Sequence, residues 1–200
     1  MKKVVSLISY LFHPLLMPSL GLLIMLNSGT YLSLLDPAAK RAILFVMALG
    51  TLVFPLMMLP ILQYRNLVVK NGESTREERL VPQIIILVLY IITLVYFRRL
   101  PLSQAIQAYV LSVNLTLFMV ILINLKFRVS VHAAALGGLC GLIIVLMLLY
   151  ETPLEGLLML TLLASGISGS ARMALGNGWT EVLTGFILGL GVVLVTILVF

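Results

Sequence analysis

The chain has 200 residues, 62% of them hydrophobic and 10% charged, with a formal net charge of +6 and a mean hydropathy of +1.19. Soluble domains run near half apolar and about a quarter charged, so a water-soluble globular fold is excluded and the solvent of this chain is a bilayer. Cys140 is the single cysteine, which excludes an internal disulfide and any cysteine-rich metal site.

A membrane-spanning helix needs about 20 largely apolar residues. Apolar runs between charged breaks predict seven, at roughly 4–27, 41–64, 80–97, 102–125, 130–150, 153–175 and 180–200. The expected fold class is therefore all-α, a polytopic transmembrane helical bundle of about seven passes, in one integral membrane domain over residues 1–200. The first run follows Lys2 and Lys3 as a signal peptide would. No small-residue cleavage site follows it, however, and Pro14 and Pro18 interrupt it, which predicts a retained, kinked helix. His13 lies about nine residues into that run, roughly 14 Å deep by helical rise, and reads as a packing residue. Beyond the second run comes the longest polar stretch, Arg65 to Arg79. In the fourth, Gln107 and Asn114 are expected to hydrogen-bond between helices. Gly137 and Gly141, Gly166 and Ser170, and Gly185 and Gly189 have small-xxx-small spacing, which predicts close packing of the fifth, sixth and seventh helices.

Counting sides turns this order into geometry. With seven passes, the N-terminus and the loops after helices two, four and six share one face, with nine of the thirteen basic residues; the other face carries Lys40, Arg41, Arg98 and Arg99. The positive-inside rule points the first face to the cytoplasm. Setting aside Lys70, Arg76, Arg79, Arg128 and Arg172 as candidates for function leaves four basic residues on each side, so charge alone leaves the orientation open. The positive charge suits anionic lipid head groups, and with basic residues spread over short loops no nucleic-acid groove is expected. Helices three, five and seven all begin on the richer face, so three sets of unpaired N–H groups and three positive dipole ends converge where a phosphate would be welcome. Arg79, Ser130, His132, Thr180 and Glu181 lie near those starts, and Arg172 ends the sixth helix on the same side. An arginine there reaches water, a phosphate or a carboxylate such as Glu181.

The stretches Lys70-Asn-Gly-Glu-Ser-Thr-Arg76-Glu-Glu-Arg79-Leu-Val-Pro82, Val129-Ser130-Val131-His132 and Ser170-Ala171-Arg172 through Asn177-Gly178-Trp179-Thr180-Glu181 together resemble the three motifs of the type 2 phosphatidic acid phosphatase and haloperoxidase superfamily. Those motifs are Lys-x6-Arg-Pro, Pro-Ser-Gly-His and Ser-Arg-x5-His-x3-Asp. The string Phe12-His13-Pro14-Leu-Leu-Met-Pro18 and the Arg-x-x-Arg-x-x-Pro spacing are similar to those of small bacterial membrane proteins grouped loosely with it. The resemblance implies a phosphatase-like helical core over 67–200, two accessory helices over 1–66, and residence in the cytoplasmic (inner) membrane of a bacterium. It further implies phosphate binding by Lys70, Arg76, Arg79, Ser130 and Arg172, with His132 as general acid and Glu181 as orienting group or base. The ligand implied is a membrane lipid with a phosphate head group, phosphatidate or a polyprenyl pyrophosphate. Asn177 and Gly178 stand where the family's attacking histidine belongs, and neither forms a phosphoryl intermediate.

Two functions from different classes follow: a lipid-phosphate hydrolase, or a protein of the same architecture that binds or moves phospholipid or supports a membrane protein complex of unknown partner. No metal or organic cofactor is expected. Asp36 is the only aspartate, which excludes the aspartate-rich magnesium sites of prenyl and lipid-alcohol transferases.

Overall fold

The computed structural model describes residues 12–64 and 76–200, the side chains of residues 59, 62–64 and 76–79 excepted. All regular structure among the described residues is helical. Helix α1, Met17–Asn27, begins with Pro18 in its first turn, the one place in a helix where a missing N–H costs nothing. Asp36 caps α2, Pro37–Ala48, by accepting from the N–H groups of Ala38 and Ala39. The chain then passes through a π-helical turn, Leu49–Val53, into α3, Phe54–Tyr64. Helices α4, Arg76–Arg99, α5, Gln104–Asn124, α6, Val131–Tyr150, α7, Glu155–Ala174, and α8, Trp179–Val199, follow with short connections.

Among the described residues six stretches are long and apolar enough to cross a membrane: Pro37–Met58, Leu80–Arg99, Gln104–Asn124, Val131–Tyr150, Glu155–Ala174 and Trp179–Val199. The protein is a membrane-embedded helical bundle. The first expected pass, 4–27, contributes only α1 to the described structure; its 11 residues rise about 16 Å, less than a bilayer crossing, and residues 1–11 lie outside the described residues.

Helix α6 is the centre of the bundle, with Leu136, Cys140, Leu142 and Ile143 buried, and α8 runs parallel to it in the most extensive helix contact of the molecule. The approach is backbone on backbone. A Cβ on Gly137 would stand 2.1 Å from the Phe186 carbonyl oxygen, one on Gly189 1.9 Å from that of Ala134, and one on Gly185 2.5 Å from that of Ser130. Two of the three small-residue pairs therefore pack as expected. The third does not: Gly166 has nothing within 4 Å of its Cβ position and Ser170 is exposed, because α7 turns that face outward. The expected interhelical bonds of Gln107 and Asn114 are likewise replaced by local ones, to Leu102 O at 3.4 Å and Val110 O at 2.9 Å. Near the π-helical turn a polar knot joins three elements. Ser19 Oγ lies 3.2 Å from Thr51 Oγ1, the Tyr90 hydroxyl donates to Thr51 O at 3.3 Å, and Gly50 lets Thr93 approach the turn.

The two ends of the bundle are chemically distinct. At one end the Arg98 guanidinium sits 4.9 Å from the centre of the Phe200 ring, Gln104 donates to the Phe200 carbonyl, and the Tyr31 and Tyr150 rings lie 5.7 Å apart. The starts of α4, α6 and α8 lie at the opposite end.

Replacing Gly189 by leucine is expected to lower stability by about 1–3 kcal/mol or more, since backbone rather than a flexible side chain must yield. The same change at Gly166 is expected to leave stability near that of the wild type. Unfolding midpoints in detergent compare the two.

Candidate functional site

A cavity of about 820 Å³ opens among α1, α4, α5 and α6 and reaches the loops at the end where α6 and α8 begin. Its polar lining includes His13, Gln83, Asn124, His132, Arg172 and Glu181. Mid-helix residues such as Val113, Leu117, Val120, Leu139 and Val193 line the remainder. Tyr109 and Tyr90 also reach it, but their hydroxyls donate to Pro18 O, at 2.9 Å, and to Thr51 O. Thr116 Oγ1 donates to Ser112 O at 2.8 Å. The deeper wall thus presents mostly carbon, below a mouth of nitrogen and oxygen.

Arg172 enters this mouth from the last turn of α7. That helix ends in a Schellman turn: the Asn177 N–H donates to Arg172 O at 3.1 Å and the Gly176 N–H to Met173 O at 3.0 Å. Gly176 has φ +99, a value that suits a residue without Cβ. The turn reverses the chain within a few residues and sets Glu181, in the first turn of α8, close enough to act electrostatically on Arg172. The Glu181 carboxylate accepts instead from Asn177 Nδ2 at 2.8 Å. Arg172 Nε is buried and has no hydrogen-bond partner among the described residues. A bare buried donor of this kind costs about 1–3 kcal/mol, more when it carries charge.

His132 comes from the first turn of α6, behind the cap residue Ser130, whose hydroxyl accepts from Ala133 N at 3.4 Å. Ser130 N donates to Glu181 O at 3.0 Å, so the starts of α6 and α8 are tied together and their dipoles point the same way. Gly178 caps α8 without a side chain, so among the described residues no side-chain cap covers its first N–H groups. On the α5 side, Asn124 accepts from Val129 N at 2.8 Å and donates to Gln83 Oε1 at 3.3 Å. This pins the connection that carries Arg128 into the cavity lining.

The residue that sequence reasoning set aside is His13. Because α1 starts at Met17, His13 is not nine residues into a helix but in the turn ahead of one, outside the six spans. Its ring lies 5.8 Å from that of His132, edge to face at 72°. His13 Nδ1 accepts from Leu15 N at 3.3 Å, which leaves the proton of the neutral ring on Nε2. Burial first, and the Arg172 guanidinium second, hold this imidazole below its ordinary value of 6.5, so it is uncharged at neutral pH. The paired prolines at 14 and 18 were the signal for the turn ahead of Met17.

Of the residues expected at the site, His132, Glu181, Ser130 and Arg172 all line the one cavity. Lys70 lies outside the described residues, as do the side chains of Arg76 and Arg79; the backbones of those two arginines are in the first turn of α4, and Arg79 precedes the lining residue Gln83 by four. Among the described residues no group of three or more His, Cys, Asp or Glu is placed to hold a metal. No protein-family model, curated protein or solved structure matches the chain.

Asn124→Ala removes the acceptor for the buried Val129 N–H. The expected loss of about 1–3 kcal/mol corresponds to roughly 5- to 150-fold faster amide exchange over residues 125–130, with the spans themselves unchanged, as hydrogen-exchange mass spectrometry reads.

Proposed function

We propose that this protein binds a membrane lipid with a phosphate head group, as a divergent relative of the type 2 phosphatidic acid phosphatases in a bacterial cytoplasmic membrane. The head group, of the phosphatidate or polyprenyl pyrophosphate class, meets Arg172, His132 and His13, and the hydrocarbon enters the carbon-lined part of the cavity. The observation that carries the reading is the buried Nε of Arg172, without a hydrogen-bond partner among the described residues, in a cavity shared with both histidines. An arginine fork is well suited to phosphate oxygens, and the starts of α6 and α8 add dipoles of the favourable sign.

The reading stops short of a covalent phosphohistidine. Asn177 is bonded to Glu181, and the proton on Nε2 of His13 occupies the lone pair an attack on phosphorus would use. Hydrolysis by water is the second reading. It is favoured by Glu181 and His132 lining the same cavity, the one to accept the proton of the water and the other to protonate the leaving oxygen.

Trp179 is the only tryptophan and begins α8, so its fluorescence reports head-group binding in detergent. Phosphatidate and a polyprenyl pyrophosphate are expected to bind in a salt-sensitive manner, and their phosphate-free alcohols weakly. Arg172→Ala is expected to weaken binding about tenfold or more, given roughly 1.5–3 kcal/mol for hydrogen bonds to charged groups. Equal affinity for a lipid phosphate and its alcohol contradicts the proposal. Phosphate release that is lost in His132→Ala establishes the second reading.

A further inference from the structure

Resting on the head-group reading above, we infer that His13 is the proton-accepting member of the site: seating a phosphate beside Arg172 draws a proton onto its imidazole, so each binding event takes up a proton. The geometry leaves little else for this ring to do. It is held by its own turn, through the Leu15 N–H on Nδ1, and Leu15 is buried against Tyr90 and Leu117. Its edge-to-face neighbour is His132, and Arg172 is the described positive charge that acts on it.

The groups around the cavity mouth set the direction. Arg172 comes from α7, His132 from α6, Glu181 from α8 and Arg128 from the connection between α5 and α6, while among the described residues α4 contributes Gln83 and Tyr90 and α5 contributes Asn124 and Tyr109, none of them charged. The carboxylate of Glu181 is already bonded by Asn177. With the site empty, burial and the guanidinium keep His13 neutral. A phosphate monoester brings up to two negative charges to the same place, reversing the field at the ring. Nε2 already bears a proton, so the new one goes to Nδ1. That displaces the Leu15 N–H from Nδ1, a bond of 3.3 Å, and leaves Nε2–H as a charged donor for a phosphate oxygen. The sign follows by linkage. The ring's value rises on binding, so affinity strengthens as pH falls from the bound-state value toward the free-state value, by up to about tenfold per pH unit from this group, and levels off below it.

Calorimetric titration with dodecyl phosphate in two buffers of different ionisation enthalpy counts the protons. The wild type is expected to take up close to one proton more than His13→Gln, which keeps a neutral donor but cannot titrate. Equal uptake by the two proteins overturns the inference while leaving the head-group reading intact; absence of binding by the wild type overturns both. Should His13→Gln not fold, nitrogen NMR of the wild type labelled at its two histidines decides instead. The expected result is a neutral Nε2–H ring that becomes imidazolium on addition of dodecyl phosphate, with the Leu15 amide shifting alongside. A His13 ring that stays neutral when the lipid is bound refutes the proposal.

Discussion

The parallel seam between α6 and α8 is the constraint from which the rest of the molecule follows. Gly137, Gly185 and Gly189 bring the two backbones so close that a single added Cβ at any of them would fall 1.9–2.5 Å from a carbonyl oxygen. In a bilayer no hydrophobic effect drives helices together, so such close packing does much of the holding. Because the helices are parallel, the seam also decides chemistry. It places both N-termini at one end, locks them with the bond from Ser130 N to Glu181 O, and sets His132 and Glu181 within one cavity lining.

Around that seam the other elements contribute one polar group each to a shared mouth, while spending their deeper polar atoms on the protein itself. Tyr109, Tyr90 and Thr116 are all satisfied by backbone carbonyls. Arg172 Nε, by contrast, has no partner among the described residues. Ser103 Oγ, Asn114 Oδ1 and Thr152 Oγ1 are also buried without a partner among the described residues, but Arg172 is the one of the four residues that lines the cavity, which is what the proposed binding of an anion requires. The shape agrees with the charge, as the proposed anionic amphiphile requires: a polar mouth above a largely carbon-lined wall.

Much of this was legible in the residues. Apolar run lengths gave six of the seven expected spans, and the alternation of passes placed His132, Arg172 and Glu181 at one end without any coordinates. Gly137, Gly141, Gly185 and Gly189 announced the seam by spacing alone. What failed to read through was local. His13 was assigned a depth by assuming one continuous helix through it, whereas it lies in a turn and Pro18 belongs to the first turn of a helix that starts at Met17. Gly166 and Ser170 carry the same spacing as the seam but face outward, because spacing specifies a stripe and not what lies opposite it. Asn124 and Gln83 gave no signal, since a side chain that braces a connection looks in sequence like any polar residue at a helix end.

The central claim is that His13, His132 and Arg172 converge on one anion-binding mouth. An experimentally determined structure of the protein in a lipid nanodisc, soaked with tungstate as a dense phosphate mimic, tests it most directly. The account predicts a single strong peak within hydrogen-bonding distance of the Arg172 guanidinium and flanked by both imidazoles. A peak elsewhere, or the two histidine rings at different ends of the bundle, contradicts it.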